Sequence, residues 1–156
     1  MIRIAITGPE SSGKTTLSEQ LATHFDASLV REYARDYLTS LDRPYTQEDV
    51  IHIAQQQLLL EKKAAESNPK LIICDTDVLV LKIWFMHKYK GVPEWLEKAI
   101  VPNRYALYLL LKPDIPYESD PLRENPEKGW YFFNQFQEEL DQYDFPYVII
   151  SGDQDT

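Results

Sequence analysis

Apolar positions recur along the chain with two different periods. Ile2, Ile4 and Ile6 alternate with Arg3 and Ala5, which predicts a short first strand. Leu17, Leu21 and Phe25, with Ala22 beside them, recur at helical spacing. A brief strand over 28–30 runs into a helix over 31–38, and Pro44 interrupts. Thr46, with Asp49 three positions on, reads as a helix cap. Val50, Ile53, Ala54, Gln57, Leu58 and Glu61 then share one helical face as far as about residue 67, where Asn68-Pro69 closes the run. Residues 71–75 are apolar until Asp75, as expected of a parallel strand buried on both faces.

The second half repeats the rhythm. A helix is predicted over 78–89 and ends near Gly91 and Pro93. A short helix over 95–100 follows, then a fourth apolar strand over 105–111. Residues 114–128 are rich in Pro, Asp and Glu and lack any period, which predicts a lid-type loop. A helix over 130–143 and a fifth strand over 146–151 complete the chain. Strands alternating with helices predict an α/β domain, residues 1–156, with a five-stranded parallel sheet and helices on both faces. Such a fold normally covers its last strand with a further helix. The expectation is therefore a truncated chain or a partner over that face, a homo-oligomer being one form of it.

The turn between the first strand and helix carries the strongest chemical signal. Gly8-Pro9-Glu10-Ser11-Ser12-Gly13-Lys14-Thr15 fits the pattern Gly, four residues, Gly-Lys-Ser/Thr, and it stands between a strand and a helix. Backbone N–H groups of such a loop converge on anionic oxygens. Lys14 supplies a point charge for β- and γ-phosphates, and the Thr15 hydroxyl is placed to hold Mg²⁺. Thr16 follows at the helix start.

Open parallel sheets bind ligands at the carboxyl ends of their strands. Glu32 and Arg35 follow the second strand, Asp75-Thr76-Asp77 ends the third, and Lys112 and Asp114 follow the fourth. Asp75 stands where a carboxylate holds Mg²⁺, and Asp75 or Asp77 also suits a helix cap. Transfer of a phosphoryl group to a small alcohol requires a carboxylate that accepts or orients the hydroxyl proton. Glu32 and Asp77 are the two candidates. Arg35 suits a phosphate or a surface ion pair, and Arg123 suits a lid arginine closing on the γ-phosphate. Tyr33, Tyr37, Trp84, Phe85 and Tyr131 lie near these groups as stacking partners for a base or as core. His24, His52 and His87 lack metal-ligand spacing.

Charge narrows the function. The net charge is −9, and all of it falls in residues 113–156, which hold 11 acidic and 2 basic groups. No basic surface for nucleic acid is expected, and the acidic segment reads as a solvated face. No apolar run reaches membrane-spanning length, and the chain opens directly into a strand, so neither a membrane segment nor a signal peptide is expected. The single cysteine, Cys74, points to the cytoplasm. An Asn-Lys-x-Asp motif and an Asp-x-x-Gly motif are both missing, which argues against a GTPase. The residues point to an ATP-dependent kinase for a small hydroxyl compound. The other class to weigh is a nucleotide-dependent binding or regulatory module.

The phosphate loop, then Glu32-Tyr33-Ala34-Arg35-Asp36-Tyr37-Leu38, then Asp75-Thr76-Asp77 followed by Trp84, resembles the ribosylnicotinamide kinase domain of NadR-type proteins. That family falls within the P-loop AAA-type ATPases and kinases. Asp120-Pro121-Leu122-Arg123 is similar to the family's lid. The resemblance implies the three-layer P-loop nucleoside triphosphate hydrolase fold. It implies transfer of the ATP γ-phosphate to the 5′-hydroxyl of nicotinamide riboside, a step of NAD biosynthesis. By the same resemblance Gly8 to Thr16 bind ATP and Mg²⁺, Glu32, Asp75 and Asp77 lie near the ribose and the reacting hydroxyl, and Arg123 lies at the phosphates. Read from the residues, Tyr33, Arg35 and Trp84 join Glu32 and Asp77 as expected nucleoside contacts, and Thr15 and Asp75 are the expected metal ligands. Fused relatives carry a DNA-binding and an adenylyltransferase segment before the kinase. This chain begins at the kinase and is expected to perform neither of those tasks. The adenine pocket is expected near Gly152 and Asp153.

Overall fold

Five strands make one parallel sheet; numbered along the chain they lie in the order second, third, first, fourth, fifth, with the first at its centre. The computed structural model describes residues 1–9, 12–113 and 129–151. The elements in chain order are β1 (Ile2–Thr7), α1 (Lys14–His24), β2 (Ser28–Val30), α2 (Tyr33–Ser40), α3 (Gln47–Glu66) and β3 (Leu71–Asp75). They continue with α4 (Val78–Tyr89), α5 (Glu94–Ile100), β4 (Leu107–Leu111), α6 (Gly129–Tyr143) and β5 (Tyr147–Ile150). Because every pair is parallel, all five carboxyl ends lie along one edge. The register pairs Ile6 with Asp75 and Val30 with Cys74, so the tips of β1, β2 and β3 stand side by side.

Side-chain alternation sorts the sheet into two faces. Ile6, Ile73 and Leu111 point to one face and pack with Ala22, Leu17 and Leu21 of α1. Ala5, Ile72, Cys74, Tyr108 and Leu110 point to the other, where α2, α3, α4, α5 and α6 contribute the larger core. The three layers expected from the sequence are therefore present. On the α1 side the last strand is thinly covered: Val148, which shares the face of Ile150, is 49% exposed.

Several element ends differ from the sequence reading. Arg31 and Glu32 precede α2 instead of opening it, and Tyr105 and Ala106 precede β4. Phe25, read as part of the apolar stripe of α1, is 57% exposed, because the helix stops at His24 and Phe25 serves as its C-cap. The cap at Thr46 is a complete capping box: Thr46 accepts from the Asp49 N–H, and the Asp49 carboxylate accepts from the Thr46 N–H at 2.8 Å. Such a box is worth about 1 kcal/mol.

Two polar groups on core-facing helix positions form buried ties. Lys82 of α4 donates to Glu139 of α6 at 3.0 Å and to the Tyr143 hydroxyl at 3.1 Å. Glu61 of α3 accepts from the Tyr105 hydroxyl at 2.6 Å and from Arg3 of β1 at 3.1 Å, at the sheet end opposite the loop. Burial pushes the Glu61 carboxyl up to about 7, against the pull of the Tyr105 hydrogen bond and the Arg3 charge. The folded protein thus holds a proton that the unfolded chain releases near pH 4.5, and Glu61 lowers stability as pH rises from about 4.5 to 7. Glu61→Gln carries no such titration. The Tm of the variant relative to the parent is expected to move in the variant's favour between pH 5 and pH 8, measured by thermal scanning at both.

Candidate functional site

The loop after β1 is shaped by a close approach of backbone to backbone. Gly8 has φ 137°, and a Cβ there would lie 2.8 Å from the Leu111 carbonyl oxygen at the end of β4. Gly13, at φ 88°, turns the chain into α1. The first helical turn has no side-chain cap and no acidic residue. Its N–H groups and the positive end of its dipole are left for an external anion. Helices α3 and α4 are capped by Thr46 and Asp77, while α2 and α5, like α1, have no side-chain cap bond. Within the loop the buried Ser12 hydroxyl donates to the Pro9 carbonyl at 2.7 Å. Lys14 Nζ donates to the carbonyls of Gly8 and Pro9 at 2.9 and 3.0 Å, which holds its charge against the loop. Glu10 and Ser11 lie outside the described residues. Thr16 is exposed in the first turn of α1.

The neighbouring strand tip brings the acids. Thr15 Oγ1 donates to Asp75 Oδ2 at 2.9 Å, joining α1 to β3. Thr7 Oγ1 donates to Asp77 Oδ1 at 2.9 Å, and Asp77 also caps α4 through the Val80 N–H. Asp75 and Asp77 would share a face in a continuous strand. Between them Thr76 takes φ 92°, its N–H bonded to the Ile6 carbonyl at 3.1 Å. That turn sends Asp75 toward α1 and Asp77 toward the opposite layer. A β-branched residue in this region stores about 1–3 kcal/mol of strain.

Three oxygens at this tip, Asp75 Oδ1, Thr76 Oγ1 and Asp77 Oδ2, are buried and have no hydrogen-bond partner among the described residues. Burial raises the Asp75 carboxyl above its usual range, while the Lys14 charge and the Thr15 hydrogen bond pull it back. Burial raises Asp77 to about 6, opposed by the Thr7 hydrogen bond. Unsatisfied buried oxygens beside a lysine and an uncapped helix start suit a hard cation together with anionic oxygens. Among the described residues no group of three His, Cys, Asp or Glu cages a metal. Thr15 and Asp75 instead fit an ion such as Mg²⁺ that keeps few protein ligands and takes the rest from phosphates and water.

Glu32 follows β2, next to the tip of β3, and is the N-cap residue of α2 without a side-chain cap bond. Tyr33 opens α2; its ring stacks on Tyr37 with centroids 5.8 Å apart, and its hydroxyl lies 3.2 Å from His52 Nε2. Trp84, midway along α4, donates through Nε1 to the Tyr45 hydroxyl at 3.2 Å. Asp49 ties the first of these aromatic groups to Arg43. It accepts from the Tyr37 hydroxyl at 2.7 Å and takes a forked contact from Arg43 at 2.7 and 3.0 Å. Those bonds hold its carboxyl well below the usual range, the Arg43 contact first. Arg35 is exposed on α2. Arg123, the 114–128 loop, Gly152 and Asp153 lie outside the described residues.

The sequence reading missed Thr7, Thr76, Asp49, Tyr45 and His52 as contributors. Asp49 was legible only as a cap, since its second use depends on where Arg43 and Tyr37 fold. Thr7 had a signal of sorts: it is the last residue of β1, beside the loop.

The fold and the loop together define a class, a P-loop domain built to take up the phosphates of a nucleotide. The chain belongs to the AAA domain family, whose match covers residues 3–156. It is similar to the trifunctional NAD biosynthesis/regulator protein NadR of Salmonella typhimurium, 32% identical over 127 residues. That match takes in 77% of this chain and 30% of the relative, so the chain spans about a third of the relative's length. Among solved structures it resembles NadR protein in complex with NR, with a TM-score of 0.77 and 24% identity, over 99% of this chain and 46% of that one. It also resembles thymidylate kinase from Ehrlichia chaffeensis, with a TM-score of 0.67 and 14% identity, over 99% of this chain and 89% of that one.

The Gly8 geometry generates a direct expectation. Gly8→Ala meets both the positive φ and the Leu111 carbonyl, and is expected to cost more than about 1 kcal/mol of stability. It is also expected to weaken ATP binding at least tenfold. Gly91→Ala, with nothing within 4 Å of the added carbon, serves as the control. Denaturant midpoints and calorimetric titration with ATP check both effects.

Proposed function

We propose that the chain is an ATP-dependent nucleoside kinase and that its substrate is nicotinamide riboside. The observation that carries this is the Thr15–Asp75 contact, whose second carboxylate oxygen is buried with no partner among the described residues, set between an uncapped helix start and the tip bearing Glu32. The similarity to NadR, and the NR in the NadR complex, support the choice of nucleoside. The single cysteine, Cys74, is buried and free, and among the described residues no helix is long and apolar enough to cross a membrane. We place the reaction in the cytoplasm.

In this reading the loop N–H groups and Lys14 bind the β- and γ-phosphates. Thr15 and Asp75 would hold Mg²⁺, which would supply positive charge to offset that of the phosphates. Glu32 accepts the proton of the ribose 5′-hydroxyl as its oxygen bonds to the γ-phosphorus. The bond from that phosphorus to the β–γ bridging oxygen breaks, and ADP leaves. Asp77 is the weaker candidate for the base. Although a carboxyl near 6 is well tuned for proton transfer, Asp77 is fully buried and one of its oxygens is engaged by Thr7 and by Val80. Tyr33 and Trp84 supply rings for the nicotinamide, Arg35 is assigned to the nucleoside side, and Arg123 to the phosphates.

The decisive assay incubates the protein with ATP, Mg²⁺ and a panel of nucleosides and follows ADP and the phosphorylated product. Phosphorylation of nicotinamide riboside above the other members is expected. Slow ATP hydrolysis without a phosphorylated nucleoside would instead mark a nucleotide-dependent regulatory module. Lys14→Ala is expected to reduce turnover at least a hundredfold. Glu32→Gln is expected to lower kcat by about 10²–10⁴ with ATP affinity nearly unchanged. If Asp77→Asn behaves that way and Glu32→Gln does not, the base is Asp77.

A further inference from the structure

The peptide groups on either side of Glu32 are held by one side chain. Gln57, from the middle of α3, is 1% exposed. Its Nε2 donates to the Arg31 carbonyl at 3.0 Å, and its Oε1 accepts from the Tyr33 N–H at 2.8 Å. The last ladder pair of β2 is Val30 with Cys74, so residues 31–33 lie beyond the sheet's own pairing. A planar carboxamide that grips the carbonyl before a residue and the N–H after it fixes both peptide planes. It thereby fixes that residue's φ and ψ and the direction of its Cα–Cβ bond. Glu32 is held in this way at φ −66° and ψ 116°. Gln57 also satisfies the Tyr33 N–H at the start of α2, where the Glu32 side chain makes no cap bond.

We infer that Gln57 is a positioning residue for the phosphoryl-transfer reaction: its carboxamide aims the Glu32 carboxylate at the substrate hydroxyl. The inference rests on the reading of Glu32 as the group that accepts the hydroxyl proton. Sequence periodicity places Gln57 on the core-facing stripe of α3, between Ile53 and Glu61, where a glutamine has to find polar partners. Serving buried backbone alone would make Gln57 a stabilising residue with no preference for one step of the reaction. Aiming a carboxylate makes its loss visible in kcat and only when that carboxylate is present.

The experiment is a double-mutant cycle on the full chain with ATP, Mg²⁺ and nicotinamide riboside. Gln57→Met keeps the length and removes both hydrogen bonds. Gln57→Glu keeps an acceptor for Tyr33 and turns a second oxygen toward the Arg31 carbonyl; it guards against a methionine variant that fails to fold. Each is expected to lower kcat at least tenfold, with KM for ATP within twofold of the parent. In the Glu32→Gln background the same changes are expected to lower kcat less than twofold. An equal loss in both backgrounds, or a fall in Tm with kcat preserved, overturns the inference and leaves the role of Glu32 standing. A Glu32→Gln protein as fast as the parent overturns the role of Glu32 itself, and the inference with it.

Discussion

The hydrogen bond of 2.9 Å between Thr15 and Asp75 joins the two parts of the chain that the proposed chemistry needs. Thr15 belongs to the first turn of α1, and Asp75 ends β3, sixty residues later. The bond exists because β1 and β3 are parallel neighbours whose register sets Ile6 against Asp75. The loop that follows β1 therefore opens beside an acid. A shift of one residue in that register would turn every β3 side chain to the opposite face and carry the carboxylate away from the helix start. The sheet centre is nearly sealed, with Ala5, Ile6, Ile72 and Cys74 fully buried, so the register is strongly specified.

Around that bond the chain carries unfavourable terms that the rest of the fold offsets. Thr76 holds a backbone conformation rare for a threonine, and three oxygens at the strand tip have no partner among the described residues. Two carboxyls are raised by burial. Each feature disfavours the folded state taken alone, and together they mark one spot. Elsewhere among the described residues, buried polar groups are paired: Glu61 with Tyr105 and Arg3, Lys82 with Glu139, and Asp49 with Arg43 and Tyr37. The contrast sets the strand tip apart from the buried groups whose partners lie within the fold, as the proposed ligand site requires.

The architecture was legible because burial in a parallel sheet leaves continuous apolar runs, and 71–75 and 107–111 are such runs. The stripe of α3 was legible as well, including its polar members Gln57 and Glu61, which are both buried. The loop was legible because its chemistry is written in adjacent residues. Contacts between distant residues were not. Nothing near Thr7 announces Asp77, and no local signal joins Gln57 to residue 31 or Asp49 to Tyr37. Helix starts were misjudged by two residues at α2 because Arg31 and Glu32 have good helix propensity, while the strand exit and the Gln57 amide hold them extended.

One consequence follows from the packing of Gly8. The atom that confines it is the main-chain oxygen of Leu111, and not that residue's side chain. Replacing Leu111 by any other residue leaves that oxygen where it is. A larger residue at position 8 therefore has no compensating partner at position 111, and reversion by a second-site change there is closed to it. The two positions constrain each other without leaving the paired record of substitutions by which contacts between side chains are usually recognised.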